Sequence, residues 1–239
     1  MSAENAFTRE NLNEYLKALA KEFRRRNGTA MPAEIILIGG ASILANYGFR
    51  EMTYDMDAII TASSAMKEAI SFVGEKFGLP NGWLNTDFTR TKSYSQKLFE
   101  VSVYYKTFSN IVTIRTVAAE YLIAMKLMSG RRYKNDLSDI VGILWEHQKN
   151  ARPITMEQIN AAVLALYGGW DEIPENSKAF ISAVIANGDY RALYPQSRES
   201  ELQSRDILLD FEQRYTNTLK AEDIDSVLKK ARQKKREQG

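Results

Sequence analysis

The chain has 239 residues, 44% hydrophobic and 26% charged, and its 32 basic and 30 acidic residues give a net charge of +2. This composition indicates a soluble globular protein of one large or two modest domains, and the small net charge argues against bulk electrostatic binding of nucleic acid or membranes. Cysteine is absent and His147 is the single histidine, which excludes disulfides, thiolate or histidine-rich zinc sites and most histidine-dependent triads.

These counts also bear on metals and on location. Any metal chemistry must depend on carboxylates, which favour hard cations such as Mg²⁺. The N-terminus lacks the apolar segment of a secretory signal, and no apolar run is long enough to span a membrane. The absence of cysteine fits a reducing compartment. We therefore expect a soluble, cytoplasmic protein with no membrane partner.

The first predicted elements are a helix, a strand and a short second helix. Helical spacing of apolar residues predicts a helix from about Thr8 to Arg26, and the isoleucine-rich run Glu34–Ile38 predicts a strand buried on both faces. Gly39-Gly40 ends that strand, and a helix over 41–47 follows, with Gly48 as its C-cap. A strand that leads through glycines into a helix directs free backbone amides at a ligand, although a diglycine also suits an ordinary tight turn.

Two aspartates mark the next predicted strand, Tyr54–Ala62. Because alternate side chains of a strand share a face, Asp55 and Asp57 project together. Two carboxylates so close repel each other unless a cation lies between them or one is protonated. An exposed edge strand with solvated aspartates is the alternative, but the apolar continuation of the strand favours metal binding.

The middle of the chain contributes a helix that ends near Phe77 and two further predicted strands, Lys97–Tyr105 and Ile111–Arg115. Glu100 lies on the first of these strands and is a candidate third carboxylate for the metal. The sequence does not show which face of the strand it occupies.

The next two predicted helices carry charged residues at unusual positions. Thr116 is predicted to cap the first, and Lys126 lies on its largely apolar surface, where lysine is rarely buried without a partner. The second helix spans about Leu137–Gln148. Asp136 and Asp139 share one face at its start, and Asp136 also suits the N-cap position.

Pro153 marks a predicted boundary between two domains, residues 1–150 and 151–239. Beyond it only helices are predicted, over 155–167, 175–186, about 197–217 and 221–235. The basic tail from Lys229 to Arg236 suits a nucleic-acid contact, but a solvated terminal helix is the simpler explanation.

Taken together, these motifs resemble the nucleotidyltransferase superfamily related to DNA polymerase beta and, more narrowly, the bacterial nucleotidyltransferase-like family that includes abortive-infection toxins of type IV toxin–antitoxin pairs. The resemblance covers roughly residues 35–144. It rests on Gly39-Gly40-Ala41-Ser42, Arg50, Thr53-x-Asp55-x-Asp57 and the block Ala119-Glu120-Tyr121-Leu122-x-Ala124-x-Lys126-Leu127…Arg131…Lys134-x-Asp136-x-x-Asp139. It implies an α/β (α+β) nucleotidyltransferase fold, with a small mixed sheet flanked by helices and a C-terminal all-helical domain.

In this family resemblance, Asp55 and Asp57 would hold one or two Mg²⁺ (or Mn²⁺) ions against the triphosphate of an NTP. The backbone amides from Gly39 and Gly40 onward, with the Ser42 hydroxyl, would bind the terminal phosphates. Arg50 would support the glycine turn or the carboxylates at this nucleotide-binding site.

The second block of the motif would complete the catalytic site. Lys126 would neutralise charge that develops on the phosphates. The resemblance implies that Asp136 and Asp139 act near the acceptor or as a base. One departure from the family pattern is that no third strand aspartate is evident, so that only Glu100 or Asp87 is available as a further metal ligand.

We therefore expect an Mg²⁺-dependent nucleotidyltransferase that moves a nucleoside monophosphate from an NTP to RNA, a protein or a small molecule. The resemblance adds the role of a toxin with a cognate antitoxin as partner. The alternative is a catalytically inactive member whose helical domain binds protein or RNA, and a third option is DNA binding through the basic tail.

Overall fold

The structure, a computed structural model, describes residues 6–216, 218–219 and 223–237 of the chain. Its strands are β1 (Phe7–Thr8), β2 (Ala33–Leu37), β3 (Met52–Thr53), β4 (Met56–Thr61), β5 (Leu84–Asn85), β6 (Ser102–Phe108) and β7 (Val112–Val117). Its helices are α1 (Arg9–Asn27), α2 (Gly39–Asn46), α3 (Ala65–Phe77), α4 (Ala119–Ser129), α5 (Asp136–Lys149), α6 (Met156–Tyr167), α7 (Glu175–Asn187), α8 (Tyr190–Arg214) and α9 (Ile224–Glu237). Two short 3-10 helices, Asp87–Arg90 and Gln96–Phe99, lie between β5 and β6.

The isoleucine-rich run forms the central strand of a five-stranded mixed sheet with the order β5-β4-β2-β7-β6. Strand β2 pairs antiparallel with β4 and parallel with β7. The antiparallel register sets Leu37 opposite Ala58, so that the end of β2 meets the start of β4. The glycine turn and the two aspartates are therefore neighbours because of strand pairing.

The sheet separates two apolar cores, which explains why β2 is apolar at almost every position. Ile35 and Leu37 belong to the core that includes residues of α1 and α3, whereas Ile36 and Ile38 belong to the core that includes residues of α4 and α5. The second core continues into α6 and α7, beyond Pro153. The mixed α/β fold with a small sheet flanked by helices confirms the predicted fold class.

Local capping explains where the first helix begins. The Thr8 hydroxyl accepts a hydrogen bond from the Asn11 N–H, and the Thr8 N–H donates to Asn11 Oδ1 at 2.8 Å, which forms a capping box. The helix ends at Gly28, whose N–H donates to the Arg24 carbonyl. The predicted helix is confirmed here almost to the residue.

Two predictions between Lys97 and Thr116 were wrong, one about a strand and one about a helix cap. The predicted strand Lys97–Tyr105 is in fact a 3-10 turn followed by β6, because the Ser95 side chain accepts a hydrogen bond from the Lys97 N–H and starts a helical turn. Thr116 does not cap α4. It is buried within β7, where its hydroxyl donates to Asn46 Oδ1 at 3.3 Å.

The predicted strand Tyr54–Ala62 is also shorter than expected. Strand β4 begins at Met56, and Asp55 lies in the connection from β3, where its carbonyl accepts a hydrogen bond from the Thr53 hydroxyl at 3.2 Å. Gly48 is not a cap, because α2 ends earlier with the Tyr47 N–H donating to the Ile43 carbonyl at 2.8 Å.

Beyond Pro153 the described residues form helices joined by short turns, as predicted. Helix α8 starts earlier than expected because the Asp189 side chain caps it by accepting from the Ala192 N–H at 3.1 Å. The predicted bounds at Asn217 and Ala221, and the side chains of the basic tail at 232 and 234–236, lie outside the described residues. None of the helices in the described ranges is long and apolar enough to cross a membrane.

Candidate active site

A cleft of about 540 Å³ lies beside the start of α2 and receives side chains from several separate parts of the chain. The glycine turn (Gly39 and Gly40) and the aspartates Asp55 and Asp57 line it. The second block of the sequence motif reaches the same cleft through α4 and through the loop that leads into α5, at Lys126, Arg131, Lys134 and Asp136. The structure thus brings together the two blocks that the sequence separates.

The glycine turn forms one wall of the cleft and is closely packed. The Ile38 N–H donates to the Asp57 carbonyl at 2.9 Å, which fixes the start of α2 beside that aspartate. A Cβ atom on Gly40 would lie 2.6 Å from the Thr53 Oγ1 atom and 3.0 Å from an Arg50 nitrogen. The N-cap residue Ile38 has no side chain that can accept from the first amides of α2, so these amides have no side-chain cap.

The two aspartates of the Asp-x-Asp motif have no cationic partner in direct contact. Neither the Asp55 nor the Asp57 side chain forms a hydrogen bond or ion pair within the part of the chain that the structure describes. Partial burial raises the pKa of Asp57, and the charge of Asp55 raises that pKa further, while Arg131 and Lys134 partly oppose the shift. The pair therefore carries negative charge that its surroundings do not fully compensate.

The acidic pair on α5 is in the opposite situation. The Lys126 Nζ atom is 2.8 Å from Asp136 Oδ1 and 2.9 Å from Asp139 Oδ2, and the lysine is only 8% exposed. Arg50 Nη1 donates to both carboxylate oxygens of Asp139, at 2.7 and 2.6 Å. Arg131 binds Asp136 with its Nε at 2.9 Å from Oδ2 and its Nη2 at 3.3 Å from Oδ1.

This buried network favours the charged forms of Asp136 and Lys126. Burial alone would raise the pKa of Asp136, but the charges of Lys126 and Arg131 outweigh it and hold that pKa well below its usual range. Burial likewise favours neutral Lys126, and the carboxylates of Asp136 and Asp139 reverse this and raise the lysine pKa. The network is therefore a set of mutually compensated charges.

Three of the predicted site residues lie outside the cleft lining. Ser42 is fully buried, and its hydroxyl accepts a hydrogen bond from the Val117 N–H at 3.1 Å, so it ties α2 to β7. Glu100 is exposed and pairs with Lys97 at 3.3 Å. Asp139 does not line the cleft, and its carboxylate pairs with Arg50 and Lys126.

Four charged residues of the cleft had no role assigned from the sequence, or only an alternative one: Asp87, Arg131, Lys134 and Arg205. Asp87, at the start of a 3-10 helix, lines the cleft, whereas Glu100 does not. Arg131 was part of the motif, but its pairing with Asp136 could not be read from spacing. Arg205 comes from α8, and no signal in the sequence connects it with residues 150 positions earlier.

The fit of a metal ion depends on Asp55 and Asp57. Among the described residues, no group of three or more acidic or histidine side chains is placed to hold a metal ion. Mg²⁺ does not require such a group, because it is commonly bound by one or two carboxylates together with substrate phosphates and water. Asp55 and Asp57, whose negative charge is only partly compensated, lie beside the uncapped start of α2 and meet that requirement.

Residues 14–148 match the model of a family described as nucleotidyltransferases of unknown function, DUF6036. The match covers more than half of the chain, and the chain belongs to this family. The resemblance to nucleotidyltransferases is therefore confirmed. No curated protein and no solved structure matches the chain.

Proposed function

We propose that the protein is an Mg²⁺-dependent nucleotidyltransferase that transfers a nucleoside monophosphate from an NTP to an acceptor hydroxyl. The observation that carries the proposal is the position of Asp55 and Asp57. Among the described residues neither side chain contacts a cation, and both line the cleft together with Gly39 and Gly40 at the uncapped start of α2. A cation and a triphosphate would compensate both features at once.

The residues of the cleft divide into three roles in this reaction. Asp55 and Asp57 would hold Mg²⁺, which when bound would neutralise charge on the phosphates and on the departing pyrophosphate. The amides of Gly39 and Gly40 bind phosphate oxygens, and the positive end of α2 favours them. The acceptor oxygen attacks the α-phosphorus as the bond to the pyrophosphate breaks, and the acceptor loses its proton.

Arg131 takes the role that the sequence suggested for Lys126. The lysine is engaged by two carboxylates, whereas the Arg131 side chain is 40% exposed and held in orientation by Asp136. A guanidinium fixed in this way suits contact with a phosphate. Lys126 then acts by holding Asp136 and Asp139 in place.

The proton of the acceptor needs a base other than the α5 carboxylates. The depressed pKa of Asp136 and its ion pairs make it a poor base. Asp87 lines the same cleft and its side chain has no ion pair with a described residue. We assign Asp87 the role of the base that takes this proton from the acceptor, which is a hydroxyl on RNA, on a protein or on a small molecule.

The test compares the variant Asp55→Asn plus Asp57→Asn with Asp171→Asn, an exposed aspartate outside the cleft. We expect the double variant to lose transfer of labelled NMP by about a hundredfold or more, with Mg²⁺-dependent NTP binding lost in titration calorimetry. The assay supplies each labelled NTP with total cellular RNA and protein, and the control keeps full activity. Unchanged NTP affinity in the double variant would contradict the assignment of Asp55 and Asp57 to the site.

The second candidate is an inactive member of the family that binds protein or RNA. The observation in its favour is that, within the described part of the chain, only Asp55 and Asp57, with Asp87 nearby, are available where a metal would lie. It predicts no label transfer for any NTP. The toxin role suggested by the family resemblance can be tested in cells with the same variants: we expect expression of the wild type to arrest growth and expression of the double variant not to.

A further inference from the structure

Helix α8 contributes a cation to the cleft from outside the family match. Arg205 lines the cleft, although the matched segment ends at residue 148. Five basic side chains line the cleft in all among the described residues, and three of them, Arg50, Lys126 and Arg131, are paired with aspartates of α5. Arg205 and Lys134 form no ion pair or hydrogen bond with a described side chain.

Arg205 is held near the cleft because α8 is clamped to the start of α5. Glu201, one helical turn before Arg205, is only 3% exposed. Its carboxylate accepts hydrogen bonds from the Leu137 N–H at 2.7 Å and from the Ser138 N–H at 3.2 Å, and the Ser138 hydroxyl donates to it at 2.5 Å. Since positions four apart share a helix face, this clamp also sets the direction of Arg205.

Two further contacts along α8 fix the helix to the walls of the cleft. The Arg198 Nη1 atom donates to Asn135 Oδ1 at 2.7 Å, next to the Asp136 network. The Tyr194 hydroxyl donates to the Phe49 carbonyl at 3.1 Å, next to Arg50. Arg205 is thus carried by an element anchored to both neighbouring segments.

We propose that Arg205 and Lys134 together form a phosphate-binding site in the cleft, so that α8 is part of the substrate-binding surface. The inference rests on the proposed function, because it assumes that a phosphate-bearing substrate enters the cleft. Arg50, Lys126 and Arg131 each contact a carboxylate directly, whereas Arg205 and Lys134 contact none among the described residues, although Lys134 also acts electrostatically on Asp57. These two side chains can therefore add a second phosphate contact to the one proposed for Arg131. A guanidinium and an ammonium suit the phosphates of an NTP or the 5′-phosphate of a nucleic-acid acceptor.

The experiment measures phosphate affinity in the full chain for Arg205→Ala and Lys134→Ala. The matched controls are Arg191→Ala, an exposed arginine on the same helix, and Arg132→Ala in the same loop as Lys134; neither lines the cleft. The probes are MgATP, tripolyphosphate, and a single-stranded RNA dodecamer with either a 5′-phosphate or a 5′-hydroxyl. Thermal unfolding checks that each variant is folded.

We expect Arg205→Ala and Lys134→Ala each to weaken binding about tenfold, with Arg205→Lys intermediate and both controls unchanged. A loss of affinity for MgATP and tripolyphosphate assigns the site to the NTP. A loss of affinity confined to the 5′-phosphorylated RNA assigns it to the acceptor. Affinities equal to wild type for all probes in both variants would overturn the inference.

Failure of the inference can be told apart from failure of the proposed function. If Asp55→Asn plus Asp57→Asn abolishes MgATP binding while Arg205→Ala and Lys134→Ala do not alter any affinity, the proposed function stands and the phosphate site falls. If the wild type does not bind MgATP but loses affinity for phosphorylated RNA in Arg205→Ala, the phosphate site stands without the nucleotidyltransferase reaction. A wild type that binds none of the probes would overturn both.

Discussion

Two pairs of aspartates, each close in sequence, lie in opposite charge environments in this fold. Asp55 and Asp57 have no ion pair among the described residues, and burial raises the pKa of Asp57. Asp136 and Asp139 are buried against Lys126 and flanking arginines, and the pKa of Asp136 is held low. The sequence suggested catalytic roles for all four, but the surrounding charges separate them.

Compensation by neighbouring cations distinguishes a structural acid from one that is available to a ligand. A buried carboxylate with a cation on each side is stable only as part of its network. A carboxylate beside another carboxylate, with no cation in contact, is unfavourable in the empty protein and becomes favourable when a cation binds. The two pairs should therefore respond in opposite ways to neutralisation.

The largest expected effect is on stability when the compensated pair is broken. Asp136→Ala leaves Lys126 buried beside a single carboxylate, and we expect the free energy of unfolding to fall by about 3–5 kcal/mol. Asp57→Asn removes an uncompensated charge and should leave stability unchanged or slightly raised. Chemical denaturation at pH 7 measures both. Equal losses in the two variants would contradict the distinction between the pairs.

Glu201 is an intermediate case, because it is a buried acid with hydrogen bonds but without a cation in contact among the described residues. Burial raises its pKa from 4.5 to about 7, although the donors of Ser138 and Leu137 oppose the shift. Since the folded protein binds this proton more tightly than the unfolded chain, the contribution to stability is present below pH 4.5 and is lost as pH rises to about 7.

Glu201→Gln imitates the protonated acid and should remove this pH dependence. We expect wild type and variant to have similar unfolding free energies near pH 4.5, and the variant to be more stable by about 3 kcal/mol at pH 8. Denaturant titrations across this range give the difference curve. A wild type that gains stability relative to the variant as pH rises would show that the hydrogen bonds outweigh burial.

The smallest expected effect concerns the glycine turn beside the uncompensated pair. Gly40→Ala places a Cβ atom 2.6 Å from the Thr53 Oγ1 atom, so the neighbouring segment must shift, and we expect a loss of about 1–3 kcal/mol. Gly48→Ala is the control, because nothing lies within 4 Å of its added Cβ. Thermal unfolding of both variants, with MgATP affinity, measures the shift. Equal stability would show that the turn adapts freely.

Much of the fold could be predicted from the sequence because local patterns determine it. The isoleucine run, the diglycine and the capping residue Thr8 each act on their own segment, and the predicted β2, α2 and α1 follow. The Asp-x-Asp spacing correctly predicted two carboxylates in one place, although Asp55 precedes the strand. Family membership followed from the same motifs.

What could not be predicted depends on contacts between distant segments. Whether Glu100 or Asp87 faces the cleft is decided by two short 3-10 helices that have no periodic signature. Ser42 stands on the correct helix, but it bonds to Val117 because β7 pairs beside β2. The ion-pair partners of Lys126 and the position of Arg205 in the cleft likewise result from how the helices pack.

The contact between Glu201 and the start of α5 reveals a difference between two boundaries along the chain: where similarity to the family ends and where the folded unit ends. Similarity to the family ends at residue 148, yet the first turn of α5 takes its hydrogen-bond acceptor from Glu201, and the adjoining apolar core extends into α6 and α7. A fragment that ended near residue 150 would keep the complete motif but would leave those amides without their carboxylate and those apolar side chains in water. The segment by which the family is recognised is shorter than the unit that this chain has to fold.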